Sequence, residues 1–264
     1  MALAALTISS VFTKKQVIAD IVKNFDFSKV DVKDSTRNDY LHEGLAPSFG
    51  GLNSESIKLM DDKLKIMIAG TMRVLSKIPP PQRSWDKVIE TMMQNTLLEP
   101  VGSDNINRVD KFIKEGTNVF KFDGSPDTTI MREVETWFTN LINDEDVLKS
   151  TKIDINVVGA IVAQTGATID AIETLIYKSE SHEKTLVDIG VLRFPDIDNP
   201  YFKVYHIKLV AWSQSQRILM VQNDTNGITG VYNCRKFKPR ASVINGMKKE
   251  VKQKAISEAE HIFD

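Results

Sequence analysis

A single cysteine, Cys234, in a chain of 264 residues excludes an internal disulfide framework and any zinc site built from several thiolates. Histidine is almost as scarce. His42, His182, His206 and His261 stand far apart, none at helical ligand spacing from another, so no histidine metal site is expected. His206 lies in a strand-like run and reads as a core or half-exposed histidine. There is no phosphate loop, no dinucleotide fingerprint after a strand and no Gly-x-Ser-x-Gly elbow. Gly50-Gly51 reads as loop punctuation. Asp196 and Asp198 in PDIDNP read as a turn, since no further calcium-ligand pattern accompanies them. No constellation points to an enzyme. The net charge of -1 lacks the basic excess of a nucleic-acid binder, so no nucleic-acid partner is expected. The start, MALAALTISSVFTKK, has no basic residues ahead of its apolar stretch and no clear cleavage site. It reads as a first strand of a chain made in the cytosol, as crystals in one reading, that acts on target membranes after release.

What is present is ordinary globular material, 42% hydrophobic and 26% charged, enough for a sizeable core in one domain over 1–264. One stretch stands apart. Val157–Ile176, VVGAIVAQTGATIDAIETLI, is about as long as a membrane-spanning helix, roughly 20 residues. Asp170 and Glu173 argue against a permanent span, because an acid near the bilayer centre costs roughly 2.5–3.5 kcal/mol. Small residues four apart, Gly159, Ala163, Ala167 and Ala171, form a ridge suited to close packing. Either the helix is buried against a sheet or a second helix, or it is packed in one state and enters lipid in another.

Along the chain, Leu3–Phe12 reads as a strand and Lys14–Phe25 as a helix, followed by a loop-rich insertion, 26–53. Helices follow over Ser54–Lys77, ended by Pro79-Pro80-Pro81, and over Trp85–Leu98. A shorter one after Ser103 carries Ile106, Val109, Ile113 and Phe120, and another spans Thr128–Asn143. The small-residue helix comes next, as roughly Ile155–Tyr177. Thr185–Phe194, Tyr201–Trp212, Gln216–Gln222 and Ile228–Cys234 then read as a four-stranded antiparallel meander, with turns at PDIDNP, SQS and NDTNG. An amphipathic helix, Ser242–Phe263, closes the chain, with 242–264 a candidate detachable tail. Grouped helices followed by grouped strands indicate α+β.

Two features carry partner chemistry. Arg235, Lys236, Lys238, Arg240, Lys248, Lys249, Lys252 and Lys254 form a basic run against one acid, Glu250. It reads either as a solvated helix face or as an attraction to anionic headgroups, about 1 kcal/mol per cation near the surface. Cys234 stands beside Arg235 and Lys236 and reads as a small core residue, or as a thiol whose pKa these neighbours lower.

The segment YHIKLVAWSQSQRILMVQNDTNGITGVYNCRKF, preceded by TLVDIGVLRF, resembles the C-terminal half of the cytolytic δ-endotoxins, the Cyt family, and the similar fungal volvatoxins. The early LTISSVF strand, the helix after it and the run of amphipathic helices agree in order. The resemblance implies one α+β domain in which helical hairpins wrap an antiparallel sheet of about five to six strands. It implies a cytolysin that binds membrane lipids directly, perforates them or acts like a detergent, and forms homo-oligomers in the membrane. Its lipid-engaging residues would be Val204, Ile207, Leu209, Val210, Trp212, Ile218, Leu219, Met220 and Val221. No cofactor is implied. A bound lipid, or a fatty acyl chain on Cys234 of a non-pore-forming carrier, is the alternative, and a storage or interaction protein is a further one. The 26–53 stretch and the last helix depart from the family pattern.

Overall fold

The computed structural model describes residues 31–114, 126–164, 177–218 and 221–240. In chain order these form β1 (Asp31–Leu45), α1 (Glu55–Lys77), α2 (Trp85–Gln94), β2 (Leu98–Ile113), α3 (Thr128–Ile142), α4 (Glu145–Ser150), α5 (Ile155–Val162), β3 (Tyr177–Phe194), β4 (Tyr201–Ile218) and β5 (Val221–Pro239). The strands make one sheet in the order β1-β3-β4-β5-β2. β3, β4, β5 and β2 pair antiparallel in turn, and β1 joins the β3 edge in parallel.

Local chemistry sets the helix ends. The Ser54 hydroxyl accepts from Ile57 N at 3.2 Å and opens α1, and Ser84 does the same for α2 through Lys87 N. Ile78 and the prolines after it stop α1, because proline lacks the N–H and restricts the residue before it. α3 ends at Asn143, left-handed at φ 45°, a conformation asparagine tolerates at a helix end. Asp144 at once caps α4.

Side chains alternate along a strand, and here both faces are apolar. Val187, Ile189, Val191, Phe202, Val204 and Phe237 pack under α1 and α2. Leu186, Leu192, Tyr205, Ile207, Leu209, Ala211, Ile228 and Tyr232 pack under α3, α4 and α5. The result is one α+β domain, a sheet between two helical layers. The layers are unequal. On the α3–α5 face, β4 is buried from Lys203 through Ser215; on the α1–α2 face burial ends at His206, and Lys208, Gln214 and Gln216 are exposed.

The structure differs from the sequence reading at five places, the first being Tyr177–Lys184, read as a helix end and a linker but forming the start of β3, where it pairs with β4. Residues 31–45 are not loop but an edge strand; DVKDSTRNDYLHEGL hides its period because Val32–Asn38 is exposed on both sides. The stretch after Ser103 is not helical but part of β2. Ile106 and Phe112 face the α3 layer while Val109 and Ile113 face away, so a spacing that also fits a helix belongs to a strand with two apolar sides. SQS and NDTNG are not turns but lie within β4 and β5, paired as Ser213↔Asn226 and Ser215↔Asp224. The meander therefore has three long strands rather than four short ones. The sheet is mixed rather than wholly antiparallel, because β1 returns beside β3 in parallel. The expected N-terminal strand and helix, most of the small-residue helix beyond α5 and the Ser242–Phe263 helix lie outside the described residues.

Candidate functional site

The central hairpin, β4 and β5, carries the residues expected to engage lipid. Val204, Ile207 and Leu209 are fully buried, Val204 under α1–α2 and the other two under α3–α5. Val210 and Trp212 are half-buried on the open part of the α1–α2 face. Ile218 lies opposite Val221 at the far end of the hairpin; Leu219 and Met220 lie outside the described residues. The arrangement is a sheet whose apolar strands meet helices on most of one face and on part of the other.

Polar contacts tie those helices down. On the α3–α5 face, buried Asp188 of β3 accepts from Thr151 Oγ1 at 2.6 Å and from Lys152 N at 2.9 Å. His42 Nε2 of β1 lies 3.0 Å from Asp188 Oδ1 and 3.0 Å from Tyr205 Oη. Burial, with Asp188 adding, pushes the Tyr205 phenol up, so it stays protonated and can donate. Gly190 makes this packing possible, since a Cβ there would strike the Tyr205 ring. Lys203 Nζ donates to Asp144 Oδ2 at 2.8 Å, Arg108 donates to the carbonyls of Leu141 and Ile142, and Asn226 donates to Val162 O and Gln164 O.

Other contacts hold the α1–α2 layer. Arg193 Nε of β3 donates to Asp61 Oδ1 of α1 at 2.8 Å, and its Nη1 lies 3.2 Å from Glu43 of β1. Burial raises the Glu43 pKa, partly offset by Arg193, and Glu43 Oε2 is buried without a hydrogen-bond partner. Trp85 of α2 stacks on His206 of β4, centroids 6.1 Å apart. Burial, then the charge of Lys208, lowers His206 to about 4, so the ring is neutral at pH 7.

The other expected residues divide. Gly159 faces α3, where a Cβ would sit 3.9 Å from Met131 Cα and Val134 Cγ1, and Ala163 is fully buried; Ala167 and Ala171 lie outside the described residues. The described members of the basic run do not gather on one face. Arg235 lies over Trp85 and Lys236 over Tyr201, while Lys238 and Arg240 approach Glu99. Lys248, Lys249, Lys252 and Lys254 lie outside the described residues. Cys234 is buried and its thiol is pushed up to about 11, chiefly by burial; the neutral thiol is the less reactive form.

Asp61, Asp144, Asp188 and Arg193 are absent from the sequence reading because their partners are distant in the chain; a charge on a strand with apolar neighbours, as in LVDIGVLRF, could have signalled Asp188 and Arg193. Among the described residues no group of three or more His, Cys, Asp or Glu is arranged to hold a metal, and no helix is long and apolar enough to cross a membrane.

No protein-family model and no curated protein matches the chain. Among solved structures, that of the Evf virulence factor is distantly similar, at 11% identity and a TM-score of 0.26, over 94% of this chain and 89% of that one.

Proposed function

We propose that this protein is a membrane-active cytolysin that binds lipid directly and disrupts bilayers by refolding, without catalysis. The observation that carries the reading is the central sheet, apolar on both faces and covered by two helical layers held at discrete polar ties. Such a sheet is costly to expose to water and favourable to expose to lipid, provided its strand edges pair. Pairing between copies satisfies them, so the membrane state is a homo-oligomer. The α1–α2 layer is the first cover to leave, because it spans less of the sheet.

Dye release from liposomes, with and without limited trypsin, tests this. Prompt release is expected from intact protein; release only after trypsin adds a protoxin step, with 242–264 the first segment to locate among the fragments. A folded protein that releases nothing under any condition overturns the reading. An intact mass raised by a fatty acyl group and restored by hydroxylamine would point to the carrier alternative, with the chain on Cys234.

A further inference from the structure

Among the described residues no helix covers the α1–α2 face of the sheet beyond Val187, and what it shows there is not an ordinary polar surface. In the first open row the register aligns Val109 of β2, Val231 of β5 and Lys208 of β4. The next row aligns Lys111, Thr229 and Val210, and the third aligns Ile113, Gly227 and Trp212. Val109 is 74% exposed and Ile113 48%. Trp212 lies over Gly227, where a Cβ would come within 2.5 Å of the indole, and Lys111 Nζ sits 5.1 Å from the indole centroid. The next row, Thr225 opposite Gln214, is polar and exposed, so the apolar strip is bounded on both sides.

We propose that this strip is the surface by which the folded protein first docks on a bilayer carrying anionic phospholipid, before any helix moves. The inference rests on the lipid-binding reading and adds the place of contact. Charge complementarity names the occupant. The nine positions of the three rows on β2, β5 and β4 hold two lysines and no carboxylate; the same rows continue on β3 and β1 with Glu183 beside Trp212 and with Arg37 paired to Asp39, so cations exceed acids by three to two across the five strands. A phosphate surface satisfies both Lys111 and Lys208 at once. Tryptophan and lysine also suit the headgroup boundary, the ring seated at the interface and the ammonium reaching outward. The strip needs no unfolding, since its side chains are already in water.

The test is flotation of full-length protein with vesicles of equal parts phosphatidylcholine and phosphatidylserine. Lys111→Gln with Lys208→Gln should weaken binding about 25-fold, about a factor of five for each charge. Trp212→Ala should weaken it too, and Trp212→Phe should abolish the tryptophan emission quenched by brominated lipid. Lys87→Gln with Lys149→Gln, the same charge change on the helices, should leave binding as it was. Circular dichroism and thermal unfolding check that each variant folds; the lysine pair remains decisive if Trp212→Ala does not. Wild-type binding matched by the lysine pair overturns this docking surface while leaving the lipid reading intact. Absence of wild-type binding overturns both. A dimer in free solution that Trp212→Ala dissociates, with vesicle binding unchanged, assigns the strip to a second copy and overturns the proposal.

Discussion

The two helical layers cover the same sheet in different ways. Under α3–α5 every inward position of β4 from Lys203 to Ser215 is buried, and ties reach both ends: Lys203 to Asp144 near one, Asn226 to the α5 carbonyls near the other. Under α1–α2 burial stops at His206, and the side-chain ties to the sheet include the Arg193 cluster, the Trp85–His206 stack and Arg235 over Trp85. Asn95, which follows α2, bonds inward to Met67 O and Thr71 Oγ1 of α1, which braces the two helices against each other. A layer that is internally braced and covers less of the sheet can separate as a body.

The largest expected effect is on the Arg193 anchor. Arg193→Met strips the paired cation from buried Glu43 and leaves Asp61 with Lys65 at 3.6 Å, and should cost about 3 kcal/mol. Hydrogen exchange should speed up in α1 and α2 before α3–α5. Equal acceleration in both layers would break the distinction between them.

Acid should act on the same layer. The folded His206 pKa, about 4, lies below its ordinary 6.5. As pH falls, the unfolded state takes up a proton first, so stability declines between 6.5 and 4, by up to about 3 kcal/mol. Glu43 acts in the opposite direction: its raised pKa lets the folded state bind a proton first, which adds stability as pH falls. Urea midpoints across this range should decline in the wild type and flatten in His206→Asn. An unchanged slope would remove His206 as the cause.

Asp188→Asn keeps the shape of the α3–α5 tie but turns one acceptor into a donor facing His42 or Thr151. It should cost about 2 kcal/mol in urea unfolding without selectively freeing α1. The smallest effect is a gain. Gly159→Ala meets its neighbours at ordinary contact distance and should stabilise by about 0.5–1 kcal/mol through helix propensity. A loss in thermal unfolding would mean that the α3–α5 contact requires glycine.

Much of the architecture was legible. α1, α2 and α3 were readable because each joins a capping residue to an apolar stripe with period 3.6. LVDIGVLRF and YFKVYHIKLV were readable as strands because branched and aromatic residues fill both faces. β1 and the far end of the β4–β5 hairpin were not, because long strands there run through polar residues that local turn chemistry describes equally well. The apolar members of the candidate site were legible on β4. The anchors were not, since Arg193 and Asp61, or Asp188 and Thr151, are distant in sequence and meet only in the fold.

Composition and periodicity by themselves determined that this chain is α+β, that its helices are amphipathic and that its central strands are apolar on both sides; these follow from side-chain spacing along one segment. Only the tertiary structure decided that β1 adds in parallel, that the basic run is split between faces and that one face of the sheet is left half open. Strand pairing and layer coverage depend on contacts between segments far apart in the chain, and no local spacing encodes them.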